Sequence, residues 1–201
     1  MASIYQLKPA FQNLLRPVTN GLAGAGITAN QVTLAALILS CLVGGAIAWQ
    51  PQNYSLLLLL PLALFVRMAL NAIDGMLARE HHMQSRLGAI LNELGDVASD
   101  TALYLPLALV PEFDSRLIVL LVVLGLMVEM TGVIAVQIGA ARNYAGPMGK
   151  SDRAFLFGLV ALLSGSGIEP GLWSTALFAS GSLLSAVTII NRARQALAEA
   201  R

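Results

Sequence analysis

The 201-residue chain is 57% hydrophobic and 11% charged, with a formal net charge of +1. A water-soluble domain carries about 25% charged residues, so these figures exclude one and place the chain in a membrane. A single cysteine, Cys41, excludes an internal disulfide and reads as a small core residue of the first apolar run.

In chain order, the first segment pairs an apolar stripe with polar residues. Ile4, Leu7, Phe11, Leu14, Leu15, Val18 and Leu22 recur at spacings of mostly three and four. This predicts an amphipathic helix over 1–24, lying on the membrane with Lys8 and Arg16 towards the headgroups. No basic n-region followed by an apolar h-region precedes it, so it does not read as a cleaved signal peptide. A first span broken at Pro17 is the competing reading, disfavoured by the Gln, Asn and Lys residues there.

Apolar runs follow at Val32–Trp49, Tyr54–Met76, Leu117–Val128, Ala154–Leu163 and Trp173–Ile190. A span needs about 20 residues. With their polar flanks, these runs predict six helices near 29–49, 54–80, 85–110, 116–142, 152–168 and 171–195. The expected fold class is an all-α integral membrane protein: six transmembrane helices over 29–195 behind the interfacial helix. No linker, low-complexity tract or repeat interrupts the chain, so 1–201 reads as one domain.

Basic residues set the expected orientation. Ten of the twelve Lys/Arg residues fall before the first span, around the turn at Arg79 and Arg86, between helices four and five (Arg142, Lys150, Arg153), or at the C-terminus (Arg192, Arg194, Arg201). Both termini are therefore expected to be cytoplasmic, in a bacterial inner membrane.

The polar stretch at 71–100 is the exception within this apolar sequence. If Arg79, Arg86 and Arg142 mark the cytoplasmic ends of helices two, three and four, a rise of 1.5 Å per residue gives each side chain a depth. Asp74 then lies about 8 Å down, Asn92 about 9 Å, Asn71 about 12 Å and Asp96 about 15 Å. Arg67, Asp100 and Glu129 would form a second layer at about 18–21 Å. One cation and two carboxylates at that depth read as a buried ion network tying three helices, or alternatively as an ion path.

The shallow layer carries the chemistry. Carboxylate and amide oxygens on facing helices suit hard divalent cations. Gly75 and Gly88 leave room for close backbone approach, and Arg79 offers a fork for phosphate. Together these suggest phosphoryl transfer.

The spacing of Asn71, Asp74-Gly75, Ala78-Arg79, Gly88, Asn92 and Asp96 resembles the signature of the CDP-alcohol phosphotransferase family, Asp-x2-Asp-Gly-x2-Ala-Arg-x8-Gly-x3-Asp-x3-Asp. Spacing is kept throughout, and six of eight identities match. Asn30 and Thr33, opening the first span, resemble the family's Pro-Asn-x-x-Thr element near the cytidine. Lys150 and Arg153 resemble a basic segment that members place near an acceptor phosphate, although both could simply set topology.

The resemblance implies transfer of a phosphatidyl-type group from a CDP-linked lipid, CDP-diacylglycerol, to a polar alcohol that can itself be phosphorylated. CMP is released, with Mg²⁺ or Mn²⁺ as cofactor. Asn71, Asp74, Asn92 and Asp96 would hold metal, and Asp96 would act as base. Asn30, Thr33, Gly75, Ala78, Arg79 and Gly88 would accept the CDP group, with Lys150 and Arg153 at the acceptor. A homodimer is also implied, and no nucleic-acid partner is expected.

Two departures stand out: the family's first and third Asp are Asn71 and Asn92, so the four-residue set carries −2 rather than −4. A second divalent ion should bind weakly or not at all. Glu93, about 100° round the helix from Asn92, is no obvious substitute. A catalytically impaired member that binds CDP-lipid or assembles with partners is the alternative. Adjacent His81 and His82 lack metal-ligand spacing and read as solvated. Gly181 and Ser185 read as a close helix contact, within or between chains.

Overall fold

The computed structural model describes residues 4–200 and is helical throughout, with no strand among the described residues. The helices are α1 (Ile4–Gly24), α2 (Ala29–Trp49), α3 (Leu59–Glu80), α4 (Arg86–Tyr104), α5 (Ser115–Gln137), α6 (Lys150–Gly165) and α7 (Leu172–Glu199). Short 3₁₀ turns at Tyr54–Leu58 and Leu105–Leu109 precede α3 and follow α4.

Among the described residues, four segments are long and apolar enough to cross a membrane: Ala29–Trp49, Tyr54–Glu80, Ser115–Gln137 and Leu172–Glu199. The other two expected spans fall short of that measure for opposite reasons. Helix α4 holds Glu93, Asp96 and Asp100, and α6 has only 16 residues.

Prolines and glycines account for most differences from the expected boundaries. Pro61 and Pro106 lack an N–H, and the segments beside them wind as 3₁₀ turns. The fourth span was expected to run to Arg142, but α5 stops at Gln137. Gly139 takes φ +87° there, and the Ala140 N–H closes back onto Ala135 O at 3.1 Å. A glycine in the left-handed region past the last turn is the common helix stop. Arg142 therefore lies in a loop and does not mark a helix end.

Helix α1 runs unbroken through Pro9 and Pro17 to Gly24, so the broken-span reading of Pro17 fails. The side chains of Ile4, Leu7 and Lys8 lie outside the described residues. Of the remaining stripe, Leu15 and Leu22 pack against Ala29, Val32, Ile73 and Leu77, and Thr19 is buried between them in sequence. Leu14 and Val18 stay exposed. Arg16 grips Glu80 through Nε (3.2 Å) and Nη2 (2.9 Å). That carboxylate raises the Arg16 pKa through its hydrogen bond and charge.

Cys41 is exposed rather than in the core. An apolar face turned to lipid and one turned to protein read alike in sequence, which is why the inward assignment failed.

The chain forms two compact units, one running to Leu42 with Leu62–Ser99, the other comprising Val43–Pro61 and Asp100 onwards. The first unit is organised by the Ala29, Val32, Ile73 and Leu77 core. In the second, Tyr104 stacks on Phe157 at 4.2 Å, Phe157 meets Phe178 at 5.7 Å, and Phe113 meets Phe178 edge-on. A Cβ on Gly181 would lie 2.8 Å from Leu156 Cδ1, so the expected close contact is made within the chain.

A sealed ion network sits in the second unit. Glu129 Oε1 accepts from Arg153 Nη2 at 2.9 Å, with Arg192 Nη1 at 3.6 Å and Arg142 Nη2 at 3.7 Å from Oε2. Arg153 also pairs with Asp100 at 3.6 Å. Gly125 and Gly132 share the α5 face of Glu129 and clear space for the guanidiniums. A Cβ at Gly125 would lie 3.0 Å from Arg153 Nε, and one at Gly132 2.7 Å from Asn143 O and 3.1 Å from Arg192 Nη1.

This corrects the expected deep layer. Arg67 is buried as expected, but so are Arg153 and Arg192; Arg192 reads in sequence as a topology-setting charge, and Arg153 as either that or a donor to an acceptor phosphate. A buried carboxylate needs paired, hydrogen-bonded cations, and Glu129 draws them inward.

Candidate active site

The shallow polar layer assembles in the first unit. Asp74, on α3, is buried, and its Oδ2 accepts a 2.8 Å hydrogen bond from Thr33 Oγ1 on α2. Thr33 Oγ1 also lies 3.1 Å from Ala29 O, so its single proton is shared between that carbonyl and the Asp74 carboxylate. Its role here is to orient the Asp74 carboxylate.

A cavity of about 720 Å³ opens at this point, lined by Asn30, Thr33, Asp74, Gly75, Ala78, Arg79, Gly88, Asn92 and neighbouring residues. That volume suits a drug-sized or nucleotide-sized ligand. Arg79 folds over Gly75, where a Cβ would stand 3.0 Å from its Nη2. Gly88 approaches Asn30 so closely that a Cβ would lie 2.7 Å from the amide oxygen. The space a Cβ would take is held by protein side chains, Arg79 beside Gly75 and Asn30 with Ser85 beside Gly88.

The start of α4 forms part of the wall. Ser85 accepts a hydrogen bond from Gly88 N at 2.9 Å, capping the helix, while Ser85, Arg86 and Gly88 line the cavity. A helix start beside two arginines favours an anion. Ser85 was missed in sequence, although a serine just before a helix is a readable cap signal. Glu93, set aside as no substitute for Asn92, also lines the cavity. One turn of α4 spreads Asn92 and Glu93 across a wall wide enough to include both.

Asn71 and Asp96 are not on the cavity wall but are bonded to each other. Asn71 Nδ2 donates to Asp96 Oδ1 at 3.2 Å, and Arg67 Nη2 reaches the same oxygen at 3.3 Å and Asp96 O at 3.0 Å. The expected separation of Arg67 from Asp96 into different layers was too sharp, because a long guanidinium reaches across 3 Å of depth. Lys150 opens α6 in the second unit. Arg153, one turn on, is buried with its guanidinium at Glu129 and Asp100, so it is no surface charge. His81 pairs with Asn20 at 3.1 Å. No group of three or more His, Cys, Asp or Glu positioned for a metal occurs among the described residues.

The family model for CDP-alcohol phosphatidyltransferases matches residues 26–193. The chain belongs to that family. It is thus a CDP-alcohol phosphotransferase, an enzyme of phospholipid synthesis that draws on a CDP-linked lipid. The chain is 49% identical over 195 residues to the inner membrane protein YnbA of Escherichia coli (strain K12), covering 97% of this chain and 96% of that one.

Two crystal structures of a phosphatidylinositol phosphate synthase from Mycobacterium tuberculosis share the fold. The complex with manganese and citrate superposes with a TM-score of 0.77 at 19% identity, covering 90% of this chain and 88% of the other. The complex with CDP-DAG gives 0.72 at 22% identity, covering 92% of each.

Proposed function

We propose that the cavity holds the pyrophosphate and cytidine of CDP-diacylglycerol and that a polar alcohol displaces CMP there. The observation that carries this reading is the motif geometry. Asp74, Gly75, Ala78, Arg79, Gly88 and Asn92 line one cavity with Asn30 and Thr33, although they come from three helices. The CDP-DAG complex of the structural neighbour supports the donor, and its manganese complex supports a divalent ion.

The donor set fits one divalent ion, held by Asp74 and Asn92 with Asp96 in support. Hard cations take carboxylate and amide oxygens. A second ion would meet too little charge, because Asn71 and Asn92 are neutral and Asp96 Oδ1 already accepts from Arg67 and Asn71. The ion supplies charge neutralisation at the phosphates. Arg79 and Arg86 add to it, since the leaving CMP develops negative charge.

Asp96 is the base in this reading. The acceptor hydroxyl gives its proton to Asp96 as its oxygen bonds to the lipid-bearing phosphorus, and the bond from that phosphorus to the CMP oxygen breaks. Arg67 and Asn71 hold the carboxylate in one orientation, as a base requires. Lys150 is the remaining donor for an acceptor phosphate, Arg153 being engaged with Glu129 and Asp100.

The chain sits in a bacterial inner membrane with both termini cytoplasmic, α1 lies along the membrane surface, and two copies pair. The 49% identity to an inner membrane protein supports the membrane, the distribution of basic residues supports the orientation, and exposed Leu14 and Val18 support the placement of α1.

The amide of Asn71 donating to Asp96 favours one rival, a CDP-lipid-binding member with impaired turnover. Purified protein given CDP-diacylglycerol and glycerol 3-phosphate, inositol phosphate, serine or glycerol separates the two. CMP release with one acceptor supports the transferase. Donor binding without CMP release from any acceptor supports the rival.

A further inference from the structure

A second cavity, of about 450 Å³, lies in the second unit among the turns that follow α2, precede α5 and join α6 to α7. Its wall includes Tyr54, Glu112, Ser164, Gly167, Ile168 and Glu169, and none of its lining residues is basic. The Tyr54 hydroxyl lies 2.9 Å from Pro111 O and also meets Glu112 Oε2, its single proton shared between the two acceptors.

Two features mark it as a built site. Ser164 is 2% exposed, yet its Oγ has no hydrogen-bond partner. Leaving a buried hydroxyl unsatisfied is costly, so it calls for a ligand. Glu112 is held at φ +64°, a conformation uncommon for residues other than glycine, Asn and Asp, and one that tends to persist at functional sites.

The chemistry of the wall selects the ligand. Two carboxylates and an unpartnered hydroxyl, on a wall that carries no basic residue, favour a positive charge that brings several N–H donors. A bare divalent ion needs oxygens at about 2.0–2.6 Å all round, and this cavity is far too roomy for one. A quaternary ammonium offers no N–H to Ser164 or the carboxylates, whereas a primary ammonium offers three.

The place is a membrane interface. Trp49 is 84% exposed at the end of α2, and the Trp173 indole donates to Glu169 O at 2.9 Å. Tryptophan and tyrosine collect at the headgroup level, and both tryptophans of the chain flank these turns, with Tyr54 on the cavity wall.

We propose that this cavity binds the protonated primary amine of an aminoalkyl compound at the membrane interface, carried by a lipid headgroup or by a free aminoalcohol. Glu112 and Glu169 supply the charge, and Ser164 accepts one N–H. The site is separate in chemistry from the CDP cavity, which is lined by arginines.

The test uses the full chain in nanodiscs of equimolar phosphatidylethanolamine, phosphatidylcholine and phosphatidylglycerol, with retained lipid read by native mass spectrometry. Phosphatidylethanolamine should be enriched over phosphatidylcholine. Glu169→Gln should reduce that enrichment about tenfold, as loss of a charge-assisted hydrogen bond implies, and Ser164→Ala should reduce it less. Displacement of the lipid by free ethanolamine assigns the site to the amine alone, and resistance to displacement assigns it to the whole headgroup. Equal retention of ethanolamine and choline lipids, or full enrichment in both variants, overturns the proposal.

Discussion

The carboxylates of Asp74 and Glu129 are both buried in a membrane protein, and their surroundings are opposite. Glu129 faces three arginines, two of them almost wholly buried, and two α5 glycines give the guanidiniums room. Asp74 accepts from the Thr33 hydroxyl and lines a cavity of about 720 Å³. Charges compensated by the protein hold a fold together. A carboxylate on a cavity wall can meet a charge brought by a ligand.

The comparison breaks first at Asp96, which combines both characters: Arg67 compensates it, yet it is expected to take a proton. Asp96→Asn keeps the size but removes the base. CMP release should fall by about 10²–10⁴-fold, while binding of CDP-lipid in a direct assay weakens much less. Near-normal turnover would assign the proton to another group.

Next is Glu129→Gln. It leaves Arg153 and Arg192 buried without their carboxylate, and breaking such a pair costs about 3–5 kcal/mol. Thermal unfolding in detergent should show that loss directly, with binding lost only as the fold is lost.

Gly132→Ala tests the space around the network. Its Cβ would press on backbone Asn143 O at 2.7 Å, and overpacking of this kind costs about 1–3 kcal/mol. The same unfolding assay should report it, whereas Gly45→Ala, with open space around it, should leave stability unchanged.

The smallest effect sharpens the cavity side. Asn71→Asp with Asn92→Asp restores charge around a hard cation, and Mn²⁺ titration calorimetry should show binding about tenfold tighter. Weaker or unchanged binding would remove the metal from the shallow layer.

The site was more legible than the packing. Asp74, Gly75, Ala78, Arg79 and Gly88 keep a spacing that places them across one turn and two helices, so sequence distance and spatial position agree. Thr33 and Asn30 came from resemblance alone, and the structure supplied Thr33 with its partner.

Partners in ion pairs were not legible. Arg153 and Arg192 look like loop and tail charges, and only the fold of α5, α6 and α7 turns them onto Glu129. Gly139 was a readable stop that went unread because the apolar pattern seemed to continue. Cys41 and Leu14 show the general difficulty: lipid and protein interior select the same residues, so hydropathy finds spans without saying which face is buried.

The most direct measurement of the central claim is Asp74→Asn, followed in parallel for CDP-diacylglycerol binding, CMP release and thermal unfolding. A carboxylate that serves the ligand from the cavity wall predicts loss of both binding and CMP release with a melting temperature close to wild type. Retained binding and turnover, or a melting temperature that falls as far as in Glu129→Gln, would contradict it.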